Sequence, residues 1–573
     1  MTSKKVFKLF ALLLSLLLFA SCGNKPAETT ASSPEEQASS SENTTISPDA
    51  PKDKSGKYVL NDNNEAVLND VTFYTTMDTS DNARVFYEIF PCSFSDSNGD
   101  GIGDLKGIIE RIDYLNDGDP DSGVSLGVEG IWLTPVFTSP SYHKYDVTDY
   151  YTIDPSFGTN EDMKALIDAC HERNIKIILD LPINHTGRKN AWFQSFWDAH
   201  KNEDTQDPYY DFYSYYSDGE KKPQGRYFSK LQSTSDYYEC NFSGDMPELN
   251  FDSEAVREEV VKIAKYWLDM GVDGFRFDAA KYVYLGEDKK GAEFWVWYTD
   301  ELRKIKSDIY LVAEVWDSDS ITAKYYPAMN CFNFTVSQVS GTLADTAKMG
   351  NVNLYTAYVE KYLKSIEGTN PDAMYLPFLA NHDTDRAAGF LTEASGQIKM
   401  AANLYILGPG SPFIYYGEEM GIRGSRGSAN TDANRRLKML WGDGDTVKDP
   451  EGADYESQTT STVKDQLADG NSLLSYYKKL IMIRKANPEI ARGTYEALKL
   501  ENTNIGGFIS TYEGESVMVL HNTTQKDALV DLSTLSDKSF TTLAAVIGVW
   551  SEDPASLDGK QLFLPAQTTA VLR

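Results

Sequence analysis

From about residue 84 onward, short apolar runs alternate with amphipathic stretches. The stretches at 161–174 and 254–270 carry apolar side chains every three or four residues, which predicts helices buried along one face. The runs are continuously apolar, as in strands of a parallel sheet covered on both faces. Eight such strands predict a (β/α)8 barrel, although a doubly wound sheet gives a similar pattern. The runs are VFYEIF, VEGIWLTPV, IKIILDLPI, VDGFRF, IYLVAEVW, FNFTV, YLPFLANH and SPFIYYGEE.

Two segments interrupt this alternation and define the predicted domains. Residues 186–252, after the third strand, lack a helical period and are rich in Trp, Tyr and Phe. An insertion of this length predicts a separate subdomain above the strand ends, with most of its aromatic side chains in its own core. From 496 to 573 alternating strands replace the helices, which predicts a C-terminal antiparallel β-sandwich. The barrel itself is expected over 80–495.

The N-terminus has the pattern of an export signal. Lysines precede an apolar run that is too short to span a bilayer comfortably, which indicates a signal peptide over 1–21. Small residues before Cys22 resemble the lipobox of bacterial lipoproteins, although Phe19 departs from its usual aliphatic residue. We therefore expect an exported protein that is lipid-anchored through Cys22, with plain secretion as the alternative. The Ser-, Thr-, Glu- and Pro-rich residues 22–58 predict a disordered tether.

The charge balance argues against one class of partner. The 54 Lys and Arg residues face 85 Asp and Glu residues, for a formal net charge of −31. Because nucleic acids and anionic lipids require a basic surface, we expect no nucleic-acid partner, and membrane contact only through the lipid. The four later cysteines show no CxxC spacing, so we expect mostly buried thiols and leave a disulfide open. They are Cys92, Cys170, Cys240 and Cys331.

Charged side chains occur where the predicted strands end. Barrel enzymes carry their chemistry at the carboxyl ends of the strands, so these side chains are expected at one mouth. Carboxylates crowded in a partly desolvated site have separated pKa values, leaving a protonated acid beside an ionised nucleophile. That pair is what retaining glycoside cleavage requires. The strand-end residues are Asp180, Asn184, His185, Arg276, Asp278, Glu314, His382 and Asp383.

Four motifs at these positions resemble the signature regions of the α-amylase family, glycoside hydrolase family 13. They occur in the family's order and strand context, and the resemblance extends over essentially everything after residue 84. The motifs are DLPINH (180–185), GFRFDAAKY (274–282), EVWD (314–317) and FLANHD (378–383).

The resemblance implies roles for the matching residues. Asp278 corresponds to the nucleophile and Glu314 to the general acid/base. Asp383 corresponds to the carboxylate that holds the sugar's 2- and 3-hydroxyls. Arg276 corresponds to the arginine that keeps the nucleophile ionised, and two residues apart on a strand it points to the same side. The other matching substrate-binding positions are Tyr145, Asp146, His185, His382 and Lys281; Tyr282 replaces a common histidine.

The loop DSNGDGIGD predicts a calcium site. Oxygen-bearing side chains alternate around turn-forming glycines, which suits Ca²⁺. An independent EF-hand is not expected, because Gly107 occupies the position of the bidentate glutamate; a turn without metal is the alternative. A similar loop follows the first barrel strand in the oligo-1,6-glucosidase and neopullulanase branches. The implied ligands are Asp96, Asn98, Asp100, the Ile102 carbonyl and Asp104, and Asn184 leaves a second calcium site open.

Specificity within the family depends on finer motifs. MPELN (246–250) resembles the MPDLN of a branch intermediate between oligo-1,6-glucosidases and neopullulanases. The small Ala279 after the nucleophile position accompanies α-1,4 cleavage in the glucosidase branch. Both favour α-1,4 hydrolysis of an α-glucan such as starch or maltodextrin. The alternatives are α-glucosidase, oligo-1,6-glucosidase or neopullulanase specificity, transglycosylation, and, remotely, a non-catalytic glucan-binding lipoprotein.

Overall fold

The computed structural model describes residues 82–120, 122–428, 430–550 and 555–573. The predicted signal peptide, the tether and Cys22 lie outside these residues. Within them, no helix has both the length and the apolar character needed to cross a membrane. The four cysteines after Cys22 are buried and free, so no disulfide joins described residues.

Eight parallel strands in the described residues form the barrel. The strands are β1 (Phe86–Ile89), β2 (Gly130–Leu133), β3 (Lys176–Leu181), β4 (Gly274–Phe277), β5 (Tyr310–Ala313), β6 (Asn330–Phe332), β7 (Tyr375–Leu376) and β8 (Phe413–Tyr415). Their order in the sheet is β7-β6-β5-β4-β3-β2-β1-β8. A parallel bridge between Phe378 and Phe413 joins the two ends of the sheet and closes it. The predicted (β/α)8 barrel is therefore confirmed.

Strand β6 lies earlier than the apolar run FNFTV indicated. The strand ends at Phe332 because the Asn333 side chain turns the chain immediately afterwards. Asn333 Oδ1 accepts the backbone N–H groups of Thr335 at 3.0 Å and Val336 at 3.3 Å. Side-chain bonds of this kind compete with strand pairing.

The helices surround the barrel. Helix Asn160–Glu172 begins with a capping box between Thr159 and Asp162, and helix Glu254–Met270 ends at the left-handed Gly271. Both lie where the apolar period predicted them. The other helices of the barrel domain are Leu105–Glu110, Ile112–Leu115, Asp288–Ile305, Asp319–Thr322, Thr342–Met349, Val352–Glu367, Ala387–Phe390, Gln397–Ile406, Val463–Leu467, Leu473–Ala486 and Glu489–Arg492.

Large apolar side chains fill the barrel interior. Trp132 is 1% exposed, and its ring lies 5.1 Å from the guanidinium carbon of Arg276. The interior below the mouth is therefore packed, so the charged strand-end residues lie on a rigid floor. The other buried members of this interior cluster are Phe86, Ile178, Tyr310, Val312, Phe332, Phe334, Leu376, Phe378 and Phe413.

The segment 186–252 contains helix Ala191–Asn202 and an antiparallel sheet. Phe193 and Phe196 of the helix are fully buried and contact Tyr213. A bridge between His185 and Glu248 joins the segment to the end of β3, so it lies beside the mouth. Its strands are Tyr215–Ser217, Phe228–Lys230 and Asp236–Glu239; a separate hairpin pairs Phe137–Thr138 with Asp149–Ile153.

The C-terminal domain is an antiparallel β structure of two sheets that share one apolar core, as predicted. Its first strand starts at Thr494. A salt bridge of 2.7 Å between Arg573 and Glu489 ties the chain end to the barrel domain. The strands are Thr494–Ala497, Ile505–Tyr512, Glu515–Asn522, Leu543–Gly548 and Thr568–Leu572 in one sheet, and Ala528–Asp531, Ser556–Asp558 and Gln561–Leu564 in the other.

Candidate active site

A cavity of about 760 Å³ opens at the carboxyl ends of the barrel strands. Its floor carries the side chains that follow β4, β5 and β7, and the segment 186–252 forms part of its wall. The sequence-predicted residues that line it are Tyr145, His185, Asp278, Lys281, Glu314 and Asp383.

The fully buried Arg276 lies beneath this floor and joins three carboxylates. Its Nη1 donates to Asp180 at 2.9 Å and to Asp278 Oδ1 at 2.8 Å. Its Nη2 lies 3.2 Å from Glu314 Oε1. Because β4 places Arg276 two residues before Asp278, both side chains leave the same face of the strand. One cation therefore offsets the repulsion among three acids that come from three different strands.

Among the acids that line the cavity, Glu314 is the one whose surroundings favour the protonated form. Burial, together with the charges of Asp278 and Asp383, raises the pKa of Glu314 to about 7, although Arg276 opposes the shift. Its Oε2 accepts the Ala279 N–H at 2.9 Å. Ala279 has a φ of 47°, an uncommon conformation for a residue with a Cβ. The left-handed conformation of Ala279 lies in the turn that follows Asp278, and this turn directs the Ala279 N–H toward Glu314.

His382 lies between two carboxylates. Its Nδ1 is 2.5 Å from Glu88 Oε1, and its Nε2 is 3.1 Å from Asp383 Oδ2. Burial disfavours the charged ring, but Asp383 and Glu88 outweigh it and raise the pKa of His382 to about 10. The imidazolium therefore donates from both nitrogens at neutral pH.

Asp383 is held ionised from two sides. Although burial opposes ionisation, the His382 imidazolium and the Arg436 guanidinium keep the pKa of Asp383 well below its usual range. Arg436 Nη2 lies 2.8 Å from Asp383 Oδ1, and Arg436 Nε donates to the His382 carbonyl at 3.1 Å. The cavity thus combines Glu314, whose pKa is raised, with Asp383, which is ionised at neutral pH.

Three predicted residues do not line the cavity. Arg276 and His382 are fully buried behind the carboxylates. Asp146 accepts hydrogen bonds from the hydroxyls of Ser139, at 2.7 Å, and Ser141. It therefore orders the loop that carries Tyr145.

The predicted residues Tyr145 and Lys281 are fixed by their neighbours. The Tyr145 hydroxyl donates to Asp180 Oδ2 at 2.9 Å and lies 2.6 Å from His382 Nε2. Lys281 Nζ donates to the Trp316 carbonyl at 2.9 Å and to Asp317 Oδ2 at 3.1 Å. Lys281 thus links the segment after Asp278 to the segment after Glu314.

The structure adds site residues that sequence reasoning missed. Glu88 is a lone charge inside the apolar run VFYEIF, and that break was a usable signal. Arg436 lies in a loop without periodicity, so only the fold brings it to Asp383. Phe242 and Trp316 line the cavity while 45% and 42% exposed. Their rings pack against Tyr282 and Phe334, respectively.

The loop predicted to bind calcium is curled by internal hydrogen bonds. Asp96 Oδ1 accepts the Gly99 N–H at 2.8 Å, its Oδ2 accepts the Gly101 N–H at 2.7 Å, and Thr446 donates to Oδ2 at 2.6 Å. Asp104 caps the next helix by accepting the Gly107 N–H at 2.7 Å. The polar side chains of this loop present oxygen atoms, including the amide oxygen of Asn98. Oxygen ligands of this kind fit a hard cation. Across the described ranges, no three His, Cys, Asp or Glu side chains are grouped to hold a metal.

Asn184 lies beside the buried carboxyl of Glu248 at the base of the inserted segment. Its Oδ1 is buried without a hydrogen-bond partner. Burial and the neighbouring Glu239 raise the pKa of Glu248 to about 8. Asn184, which left a second calcium site open, therefore lies among buried carboxyl groups.

Known proteins resemble the chain over most of its length. A family model described as the alpha amylase catalytic domain matches residues 88–493. "Alpha-amylase 3" of Dictyoglomus thermophilum is 38% identical over 450 residues, covering 76% of this chain and 84% of the relative. An "Oligo-1,6-glucosidase" of Bacillus sp. (strain F5) is 31% identical over 521 residues, covering 76% and 98%. The solved structure "Eubacterium rectale Amy13B" has a TM-score of 0.80 at 36% identity, covering 88% of this chain and 97% of that one.

Glu88→Gln tests the buried ion pairs around His382. The substitution keeps the size of the side chain and removes one of the two anions that favour the imidazolium. We expect the pKa of His382 to fall from about 10, so the ring loses its proton at a lower pH. A histidine pKa that is raised by folding stabilises the folded state below the unfolded-state pKa, and this stabilisation is lost as pH rises through the folded-state pKa. Because Glu88→Gln lowers the folded-state pKa of His382, the variant should lose this stabilisation at a lower pH than the wild type.

The pKa of His382 can be followed by nuclear magnetic resonance with labelled histidine, since the chain has 6. The exposed Glu110→Gln is the matched control and should leave the titration unchanged. An unchanged His382 pKa in Glu88→Gln would contradict the role assigned to Glu88.

Proposed function

The chain belongs to the alpha-amylase family, and from this premise we propose that it hydrolyses α-1,4-glucosidic bonds in starch and maltodextrin with retention of configuration. The observation that carries the proposal is the buried Arg276, bonded to Asp278 and 3.2 Å from Glu314. It lets an ionised nucleophile and a protonated acid coexist at one cavity floor.

The proposed reaction has two displacement steps. Glu314 donates its proton to the glycosidic oxygen while an Asp278 oxygen forms a bond to the anomeric carbon. The bond from that carbon to the glycosidic oxygen breaks, and the leaving chain departs with a new hydroxyl. Glu314, now ionised, then takes a proton from water as the water oxygen bonds the anomeric carbon and the bond to Asp278 breaks.

The neighbouring residues support these steps electrostatically. Arg276 donates a hydrogen bond to Asp278 and stabilises its anion, and burial raises the pKa of Glu314 to about 7, so that a protonated fraction is present near neutral pH. Asp383, held ionised by Arg436 and His382, can accept hydrogen bonds from two adjacent sugar hydroxyls. It thereby favours the distorted ring of the transition state.

Three observations support α-1,4 over α-1,6 cleavage. They are the motif MPELN, the small Ala279 and the presence of an α-amylase among the relatives. The exposed rings of Phe242 and Trp316 supply stacking surfaces for further sugar units beyond the cleaved bond. Oligo-1,6-glucosidase specificity is the second candidate, because a protein with that name is similar over most of the chain.

Product analysis tests this proposal. Protein lacking about its first fifty residues would be incubated with amylose, pullulan and p-nitrophenyl maltooligosides. We expect mixed maltooligosaccharides of α configuration from amylose, and a loss of at least about 10⁴-fold in kcat for Asp278→Asn, because no covalent intermediate can form. The exposed Asp198→Asn is the matched control.

The alternatives predict other products. Release of glucose alone from chain ends, or preferential cleavage of α-1,6 bonds, would overturn the α-1,4 specificity and keep the mechanism. Full activity in Asp278→Asn, or no activity of the wild type on any α-glucan, would overturn the mechanism as well.

We also propose that the loop from Asp96 to Asp104 binds Ca²⁺, which would supply a structural cross-link between oxygen ligands. The loop lies against a distant segment, since Lys448 N donates to the Gly101 carbonyl at 2.9 Å. A bound ion should therefore stabilise the barrel near β1 through mass action. The ligands would be Asp96, Asn98, Asp100, the Ile102 carbonyl and Asp104.

Thermal unfolding with and without chelator tests the calcium proposal. We expect chelation to lower Tm by several degrees and Ca²⁺ to restore it. Asp100→Asn removes a ligand charge with little change in shape and should reduce the effect, whereas Asp198→Asn should not. The same Tm with Ca²⁺ and with chelator would contradict the proposal.

We further propose that the exported protein is anchored through a lipid on Cys22. The support is the sequence around Cys22, since small residues precede the cysteine after an apolar run. We expect full-length protein expressed in bacteria to fractionate with membranes and Cys22→Ser to be found in the soluble fraction or retained as precursor. Soluble wild-type protein would contradict the anchor.

A further inference from the structure

We propose that His143 is a further substrate-binding residue, whose neutral imidazole donates its Nε2–H to a glucan hydroxyl on the Asp383 side of the cavity. The inference rests on the proposed function and adds a specific contact to it. It arises from three observations: where the ring lies, which nitrogen is already occupied, and which charge state the surroundings permit.

His143 lies at the wall of the cavity. It lines the same cavity as Asp278 and Asp383. Its ring contacts Tyr142, with centroids 5.4 Å apart, and Tyr145, with centroids 6.0 Å apart. A ring that is already packed against its neighbours loses little entropy when it binds a ligand.

The loop itself fixes the tautomer of His143. The Tyr145 backbone N–H, which can only donate, is 3.1 Å from His143 Nδ1. Nδ1 must therefore accept, and in a neutral imidazole the hydrogen then lies on Nε2. The Ser141 hydroxyl also lies 3.1 Å from Nδ1. Within the described part of the chain, no hydrogen bond to Nε2 is found and Nε2 is not among the buried unpaired atoms.

The surroundings keep the ring uncharged. Burial and the neighbouring Arg436 lower the pKa of His143 to about 4, although Asp146 and Asp383 oppose the shift. A neutral N–H donor suits a sugar hydroxyl, because it offers direction without attracting an anion. This distinguishes His143 from His382, which is charged and enclosed by Glu88 and Asp383. The two histidines thus have different roles: His382 keeps Asp383 ionised, and His143 contacts the ligand.

Nuclear magnetic resonance of labelled histidine tests the tautomer and the contact together. Long-range ¹H–¹⁵N correlation should show Nε2 protonated and Nδ1 unprotonated from pH 5.5 to 8, with His143→Gln used for assignment. Maltotriose added to Glu314→Gln should shift the His143 Nε2 resonance. A protonated Nδ1, or no shift when calorimetry shows maltotriose bound, would overturn the inference. If calorimetry detects no binding of any α-glucan, the proposed function fails instead.

Kinetics of two variants provide a second test. Glutamine places an amide N–H near the position of Nε2, whereas phenylalanine keeps the ring shape without a donor. With p-nitrophenyl maltotrioside, we expect His143→Phe to lower kcat/KM by about twofold to twelvefold, the range for one hydrogen bond. His143→Gln should retain more activity than His143→Phe. Equal activity of both variants and wild type would overturn the inference; if His143→Phe does not fold, His143→Gln and the resonance measurements still decide it.

Discussion

The site depends on one buried cation, the guanidinium of Arg276. Three carboxylates from separate strands converge on this cation beneath the cavity, and their mutual repulsion in a desolvated site would otherwise be costly. Arg276 bonds Asp180 and Asp278 and lies 3.2 Å from Glu314. A lysine could not reach all three acids at once, because its charge is a single point. The rest of the mouth is arranged around this contact.

The fold supplies the rigidity that this arrangement needs. The interior beneath the mouth is packed with aromatic and aliphatic side chains, and the Trp132 ring lies beneath the guanidinium. Strand ends therefore hold their polar side chains on a floor that cannot relax. The left-handed Ala279 is strained by this geometry, yet its N–H is aimed at Glu314. Strain of this kind persists only where the surrounding structure fixes it.

The protonation states of the site residues depend on their surroundings and not on residue type. Glu314 is driven toward its protonated form by burial, while Asp383 is kept ionised by His382 and Arg436. Histidines are divided likewise, since His382 is charged between two carboxylates and His143 is neutral against Arg436. The proposed hydrolysis and the proposed hydroxyl contact both follow from this separation. The two histidines of one site thus have opposite protonation states at neutral pH.

The sequence by itself predicted alternating strands and helices, the antiparallel C-terminal domain and the floor residues Asp278 and Glu314, and the resemblance of its four motifs selected the barrel over a doubly wound sheet. It could do so because apolar periodicity and strand-end charge are local properties of the chain. The lone charge of Glu88 was visible in the sequence, but its contacts, like those of Arg436 and the cavity-facing Phe242, were decided only by the tertiary structure. Their partners are distant in the chain: Glu88 meets His382 across 294 positions, and no local pattern encodes such a contact. Charge states also needed the fold, because burial and neighbouring charges set a pKa and both arise only when the strands close into a barrel.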